Sequence, residues 1–545
     1  MIIRTSRRAL PVAVSAATAV ALLAGCTSGT SSSSTSAGAS TSASATASAT
    51  ATPTATPTPT PTVKPTGAND PALKAFYGQQ LAWAPCQDKG DQADDDQADT
   101  SALQCATLKV PLDYTAPGTG TLDVAVVRNP ATKPDQRIGS LVLNPGGPGG
   151  SGVGMVKGGP KRFDGPLHDR FDIVGFDPRG VAGTSPLKCL DDKTRDDWLG
   201  TDEPGPDHGK QLADACQAKY AQVLPFVSTR NTARDMDVLR AALGDQKLSY
   251  LGMSYGTYLG SLYAEEFPDR AGRLVLDGAT SPSTPLIQHN IEQQAGFERS
   301  LKAFAADCAA KNPCPLGKDP DQAVQKLADF LDGLKDKPLK TTKGRTLTST
   351  TAWTGVISRL YGGEKAWSGL RNALGWAMVR GQADDLLALA DGYNGRDKDG
   401  RYEPSADAYT AIHCADGATD APSGDQLQTA LTDLAAKAPL VSKHDPMAAL
   451  FDPDCRIWPF RSTEKPHAIK SAAATPIVVV GSTGDPATPY AWSEKLTGEL
   501  GNAVLLTREG EGHVAYDRSA CIREAVNTYL VDGTVPAAGT HCKTD

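Results

Sequence analysis

Leu248-Ser249-Tyr250-Leu251-Gly252-Met253-Ser254-Tyr255-Gly256-Thr257 is the stretch on which the reading of this chain turns. An apolar, β-prone run ends in Gly252-x-Ser254-x-Gly256, and a helix-prone run over 258–267 follows. This is the layout of a nucleophile elbow, in which a serine sits on a sharp strand-to-helix turn. Glycines flank it because side chains there would collide with the neighbouring strand and helix. The pentapeptide alone is a weak signal; the strand before it, the helix after it and the partners downstream give it weight.

Outward from this turn, short apolar runs alternate with amphipathic stretches. Residues 122–128, 140–144, 172–176, 248–252 and 273–277 read as strands. Residues 231–243 read as a helix, with Met236, Leu239, Ala242 and Leu243 at helical spacing and Gly244 to stop it. Buried strands separated by helices predict an α/β fold with a mostly parallel sheet covered on both faces. The rhythm breaks over 281–470, which is rich in Ala, Leu, Asp and Lys at helical spacing, as at 321–334 and 367–380. Strand-like runs return at 475–481 and 503–507. The expected organisation is a core formed by 68–280 and 471–545, interrupted by a helical lid insertion at 281–470 that covers the sheet edge.

Serine needs a general base within hydrogen-bond reach, and the base needs an orienting carboxylate. In an elbow-type fold these follow in the order Ser, Asp or Glu, His. His513, in Arg508-Glu509-Gly510-Glu511-Gly512-His513-Val514, is the candidate base, after the last strand-like run. Asp485, in Gly484-Asp485-Pro486-Ala487-Thr488-Pro489, is the candidate acid, with Asp277 as its rival. An oxyanion hole needs two backbone N–H groups. Tyr255 is expected to supply one, and Gly147, in the glycine-rich run Asn144-Pro145-Gly146-Gly147-Pro148-Gly149-Gly150-Ser151-Gly152, the other. No Gly-Lys-Ser/Thr follows these glycines, which argues against a phosphate loop.

The 545-residue chain opens with Arg4, Arg7 and Arg8, an apolar run over 9–24 and Leu23-Ala24-Gly25-Cys26. Residues 1–25 read as a lipoprotein signal peptide, with lipid expected on Cys26 and membrane association through that anchor alone. Residues 26–67 are Ser, Thr, Ala and Thr-Pro repeats with almost nothing to bury, and are expected to form a disordered tether holding the domain at the extracellular face of the cell membrane. Of the eleven cysteines, Cys26 is set aside for lipid. The remaining ten are Cys86, Cys105, Cys189, Cys216, Cys308, Cys314, Cys414, Cys455, Cys521 and Cys542. In an exported chain they are disulfide candidates; pairing neighbours in order is one of many possible connectivities. No C-x-x-C or H-E-x-x-H motif points to a metal, and no cofactor is expected. The formal net charge is −8, more negative still without the three signal arginines, and no basic cluster carries interleaved aromatics. Nucleic-acid binding is disfavoured.

The chain resembles the secreted tripeptidyl aminopeptidases of actinobacteria, α/β-hydrolases related to proline iminopeptidases. The resemblance rests on Cys105-Ala106-Thr107-Leu108-Lys109-Val110-Pro111-Leu112-Asp113-Tyr114, the glycine run 144–152 and Asp177-Pro178-Arg179-Gly180. It also rests on 231–278, the Gly484–Pro489 turn, Gly512-His513 and Cys521. It implies an α/β-hydrolase fold and a serine exopeptidase that removes short peptides, often tripeptides, from a free amino terminus. Two departures are Pro145, where the iminopeptidases carry a histidine, and Ala182-Gly183, where relatives often have glycine and a basic residue. An aminopeptidase must recognise an ammonium group, and Glu292 and Asp416 are candidate carboxylates for it. The competing expectations are an esterase of small acyl substrates and an inactive surface-binding protein that retains the scaffold.

Overall fold

The computed structural model describes residues 67, 70–87, 100–202, 205, 207–417, 422–444, 446–451, 455–460 and 465–544. The expected signal peptide, Cys26 and all but the last residue of the expected tether lie outside the described residues. Among the described residues no helix is long and apolar enough to cross a membrane.

Among the described residues ten strands form one sheet: β1 (Ala84–Pro85), β2 (Gln104–Pro111), β3 (Thr121–Asn129), β4 (Gly139–Asn144), β5 (Phe171–Phe176), β6 (Leu248–Met253), β7 (Ala271–Asp277), β8 (Ile477–Gly484), β9 (Ala503–Glu511) and β10 (Thr540–Lys543). Their order is β1-β2-β3-β5-β4-β6-β7-β8-β9-β10. The first three pairings, out to β3–β5, are antiparallel, and all pairings from β5–β4 to β9–β10 are parallel. The central strands are buried along their length, as Leu141, Val142, Val174, Leu251, Leu274, Val478 and Val479 illustrate. Such unbroken apolar runs are what a sheet covered on both faces requires.

The register brings the C-terminal ends of the parallel strands level. Asn144 of β4 stands opposite Gly252 of β6, Met253 opposite Asp277 of β7, and Asp277 opposite Val480 of β8. The loops carrying the candidate residues therefore leave the sheet along one edge, where ligand sites of parallel sheets form.

Residues 278–476 lie between β7 and β8 and are predominantly helical among the described residues. They include Leu286–Ala309 (α3), Ser349–Tyr361 (α4) and Ser405–Asp416 (α5), with one two-stranded hairpin, Leu339–Lys340 with Thr346–Leu347. Leu301, Phe304, Leu331, Val356, Leu370 and Leu374 give this segment its own apolar cluster. A second excursion, between β5 and helix Thr229–Ala242 (α1), is not apparent from sequence periodicity. Its helices Asp192–Leu199 and His208–Tyr220 belong to a cluster that joins Leu187 and Leu212 to Ile412 of α5. Buried Arg195 pairs with Asp407 of α5, whose other carboxylate oxygen accepts from Cys189 N–H at 2.8 Å.

Five disulfides are formed: Cys86–Cys105, Cys189–Cys216, Cys308–Cys314, Cys414–Cys455 and Cys521–Cys542. This is the pairing of neighbours in order. Cys189 and Cys216 lie close to Asp407, but as a disulfide they offer no thiolate to a metal.

Candidate active site

Ser254 follows β6 and precedes helix Tyr255–Glu266 (α2), with φ 56° and ψ −126°. A non-glycine residue held at positive φ is strained and persists only where its surroundings impose it. Here Ser254 N–H donates to Asp277 O at 2.8 Å, and the Thr257 hydroxyl donates to Ser254 O at 2.6 Å. The flanking glycines are required by contact. A Cβ on Gly252 would lie 2.4 Å from both Gly256 O and the Tyr250 ring, and one on Gly256 would lie 2.8 Å from Asn144 Oδ1.

The glycine-rich loop after β4 passes directly over this turn. At Gly146 (φ +91°) a Cβ would meet Met253 O at 2.3 Å, Ser254 Cβ at 2.9 Å and Tyr255 N at 3.1 Å. Gly147, one residue on, lines the cavity in front of Ser254 together with Tyr255. Asn144 Oδ1 accepts from Gly146 N–H at 2.9 Å and so sets the exit of the loop. Asp177 fixes the far side, accepting from the Ser151 hydroxyl at 2.5 Å and from Gly183 N–H at 2.9 Å. The Asp177-Pro178-Arg179-Gly180 motif thus acts as scaffold. Arg179 is buried on Asp235, at 2.6 and 2.8 Å, and donates to the carbonyls of Pro111 and Leu112.

The structure brings Asp485 and His513 together. His513 Nδ1 lies 2.9 Å from both carboxylate oxygens of Asp485. Those oxygens also accept from the N–H groups of Ala487 and Thr488 at 2.9 Å and Val514 at 3.2 Å. Burial opposes ionisation of Asp485, but His513 and these donors outweigh it and hold the carboxyl below its ordinary range. Among the described residues Asp277 makes no hydrogen bond to the imidazole. It accepts from the N–H groups of Ala515 (2.9 Å) and Tyr516 (2.8 Å), and burial raises its pKa to about 6. The rival carboxylate therefore anchors the loop after the histidine, while Asp485 holds the ring.

His513 Nε2 is buried and has no hydrogen-bond partner among the described residues, so the Ser254 hydroxyl is not bonded to it in this structure. The two residues are nonetheless adjacent through β7. Asp277 O holds Ser254 N–H, and a Cβ on the next residue, Gly278, would lie 3.3 Å from His513 Cε1. Bonds of this type tighten when substrate binds. A strained serine, an imidazole with a free lone pair, a buried carboxylate behind it and backbone N–H groups in front can together perform acyl transfer.

The C-terminal part of the chain, residues 443–542, matches the family model described as TAP-like protein. The chain is 40% identical over 493 residues to serine protease Hip1 of Mycobacterium tuberculosis, covering 85% of this chain and 91% of that one. It is 38% identical over 463 residues to a Mycobacterium tuberculosis protein named carboxylesterase B, covering 82% and 88%. It is 30% identical over 478 residues to a tripeptidyl aminopeptidase of Streptomyces lividans, covering 81% and 83%. The chain belongs to the TAP-like α/β-hydrolase family. It is a serine hydrolase, and proteins named as peptidases are among its relatives.

Several residues around the site of this TAP-like hydrolase escaped sequence reasoning. The Thr488 hydroxyl sits 3.2 Å from His513 Nδ1, a third partner for the base. From the insertion, Tyr361 accepts His513 N–H at its carbonyl (2.9 Å), and its ring meets the imidazole edge-on at 5.4 Å. Arg518 donates to the carbonyls of His513 (2.9 Å), Gly362 (2.6 Å) and Tyr361 (3.1 Å). Contacts across such sequence distances leave no local signal.

The two expected amine-binding carboxylates lie differently. Asp416, at the end of α5, lines the cavity with Ser254 and is held by the N–H (3.0 Å) and hydroxyl of Thr229. Glu292, on α3, is not among the cavity-lining residues; its oxygens accept from Gln288 at 2.8 Å and from the Trp492 indole at 2.5 Å.

Proposed function

We propose that the chain is an exported serine exopeptidase that releases short peptides, tripeptides foremost, from free N-termini through an acyl-enzyme on Ser254. His513 Nε2 takes the hydroxyl proton as Oγ attacks the scissile carbonyl, then gives it to the leaving amine. It next deprotonates the water that releases the acyl group. Asp485 orients the imidazole and stabilises its charged form, and the N–H groups of Gly147 and Tyr255 receive the oxyanion. The observation that carries the reading is the Asp485–His513 pair at 2.9 Å, with the imidazole's other nitrogen unpartnered on the edge where Ser254 is held at positive φ.

Residues 281–470 act as a lid over that edge in this reading. Cavity-lining His289, Gln293, His413 and Asp416 all come from this segment, which supports it. Asp416 is the acceptor proposed for the substrate's ammonium. Export as a lipoprotein on Cys26, at the outer face of the membrane, is supported by the 1–26 sequence pattern and by five disulfides, which persist in oxidising compartments.

The test is to incubate the purified protein with matched peptides bearing free and acetylated N-termini and read the fragments by mass spectrometry. Release of N-terminal fragments from the free peptides alone is expected; equal cleavage of both forms removes the exopeptidase reading. The relative named carboxylesterase B favours a second reading, an esterase of small acyl groups. That reading predicts faster turnover of nitrophenyl esters than of any peptide.

A further inference from the structure

Two imidazoles of the insertion face the same cavity as Ser254. His289 lies on α3 and His413 on α5. Nδ1 of His289 and Nε2 of His413 are buried and have no hydrogen-bond partner among the described residues. Buried polar atoms are normally paired, so two orphans lining one cavity call for a ligand. Both rings are fixed by stacking: His289 on Trp492 at 4.0 Å and 25°, His413 on Tyr409 at 5.4 Å and 9°.

Burial disfavours the charged form of each. It pushes His413 down to about 4, and, with repulsion from His413 added, His289 down to about 3, against an opposing contact with Asn290. At neutral pH each ring is therefore uncharged and keeps one nitrogen lone pair. One helical turn beyond His413 stands Asp416, the one carboxylate among the described cavity-lining residues. Lys465 and His467, the other basic side chains of the lining, are exposed, and His467 lies 3.2 Å from Glu265.

An ammonium group presents three N–H donors and one positive charge. We propose that His289, His413 and Asp416 form a three-acceptor receptor for the substrate's α-ammonium, Asp416 supplying the charge and each imidazole a lone pair. Neutral histidines suit this role because a protonated ring would repel the ligand and offer it no acceptor. An acetylated N-terminus has a single N–H and no charge, so the same three groups discriminate against it by leaving acceptors unpaired. The inference rests on the exopeptidase reading and assigns its specificity to these residues.

The experiment compares kcat/KM for one tripeptidyl-amidomethylcoumarin substrate with free and with acetylated N-terminus, per mole of Ser254 labelled by a fluorophosphonate. The variants are His289→Leu, His413→Leu, His289→Gln and His413→Gln. The free-to-acetylated ratio is expected to fall at least tenfold in each leucine variant. The glutamine variants, which keep a neutral acceptor, are expected to retain more of it. A ratio within twofold of wild type in both leucine variants overturns the receptor, as do glutamine variants no better than leucine. A wild-type ratio near one instead removes the exopeptidase reading itself, which separates the two failures.

Discussion

Asp485→Asn and Asp277→Asn form a matched pair that tests which carboxylate serves the base. Asp485 places both oxygens 2.9 Å from His513 Nδ1, and one of them also accepts from Val514 N–H. In the asparagine variant an NH2 group replaces one of these acceptors and faces N–H donors. The imidazole then loses the partner that holds its tautomer and its charged form. A drop in kcat of about 10⁴, or about 5.5 kcal/mol of transition-state stabilisation, is expected. Among the described residues the Asp277 carboxylate accepts only from backbone N–H groups of the His513 loop, so Asp277→Asn is expected to keep kcat within about tenfold of wild type.

The pH dependence of stability separates the pair further. Burial raises the Asp277 pKa from 3.8 to about 6 in the folded state. Between those values the folded chain holds a proton that the unfolded chain has lost. Stability therefore falls as pH rises from about 4 to about 6, by about 3 kcal/mol, and Asp277→Asn removes that slope. Asp485 has the opposite sign. Its depressed pKa contributes stability above its ordinary value of 3.8, and this is lost as pH falls through the folded value. The assays are steady-state peptide-amide hydrolysis and urea unfolding from pH 4 to pH 8, with fluorophosphonate labelling to count intact sites. Should Asp277→Asn, still folded, lose kcat as severely as Asp485→Asn, the assignment of Asp485 as orienting acid is refuted.

Three further outcomes are expected. Gly146→Ala places a Cβ 2.3 Å from Met253 O at a φ of +91°, so thermal unfolding should show a loss of about 3 kcal/mol or more, with activity falling at least in step. Thr488→Val removes the hydroxyl 3.2 Å from His513 Nδ1 but keeps the N–H bond to Asp485; kinetics should show kcat lowered about tenfold with KM nearly unchanged. Replacing both Cys414 and Cys455 by serine opens a disulfide spanning 41 residues; by loop-closure entropy the loss is about 4 kcal/mol, read from melting curves with and without reductant.

The parts of the fold that could be read from sequence are those governed by local pattern. Central strands such as β4, β5 and β6 are predominantly apolar and almost wholly buried because both faces are covered, and their ends fell within one residue of expectation. β2 and β10 escaped notice for the complementary reason. β2 is buried mainly toward one end and β10 only at Cys542, so neither sequence carries an apolar run. The excursion after β5 escaped for a different reason. Its helices are short and weakly amphipathic; Cys189–Cys216 closes within the excursion, and Arg195–Asp407 and Cys189 N–H on Asp407 hold it to α5. Such long-range pairings leave no periodic trace. In the candidate site, Ser254, Asp485 and His513 could be nominated because each follows a strand in a turn-rich loop. Asp416 could be nominated only as one acid among many, and Glu292, equally plausible by sequence, faces an indole and an amide.

The supports of His513 come from both the core and the insertion. From the core side, Asp277 grips the loop through Ala515 and Tyr516. From the insertion side, the end of α4 supplies Tyr361 O to His513 N–H and an aromatic edge to the ring. Arg518 ties both sides by donating to His513, Tyr361 and Gly362 carbonyls. The approach is close enough that a Cβ on Gly363 would lie 2.4 Å from Glu511 O. A backbone contact of that kind cannot slide without moving the imidazole. Ser254 is held wholly by the core, through Asp277 O and Thr257. The relative placement of serine and imidazole therefore depends on how the insertion seats on the His513 loop. Disturbing the Tyr361–Arg518 contact should lower kcat without removing any group that bonds to substrate.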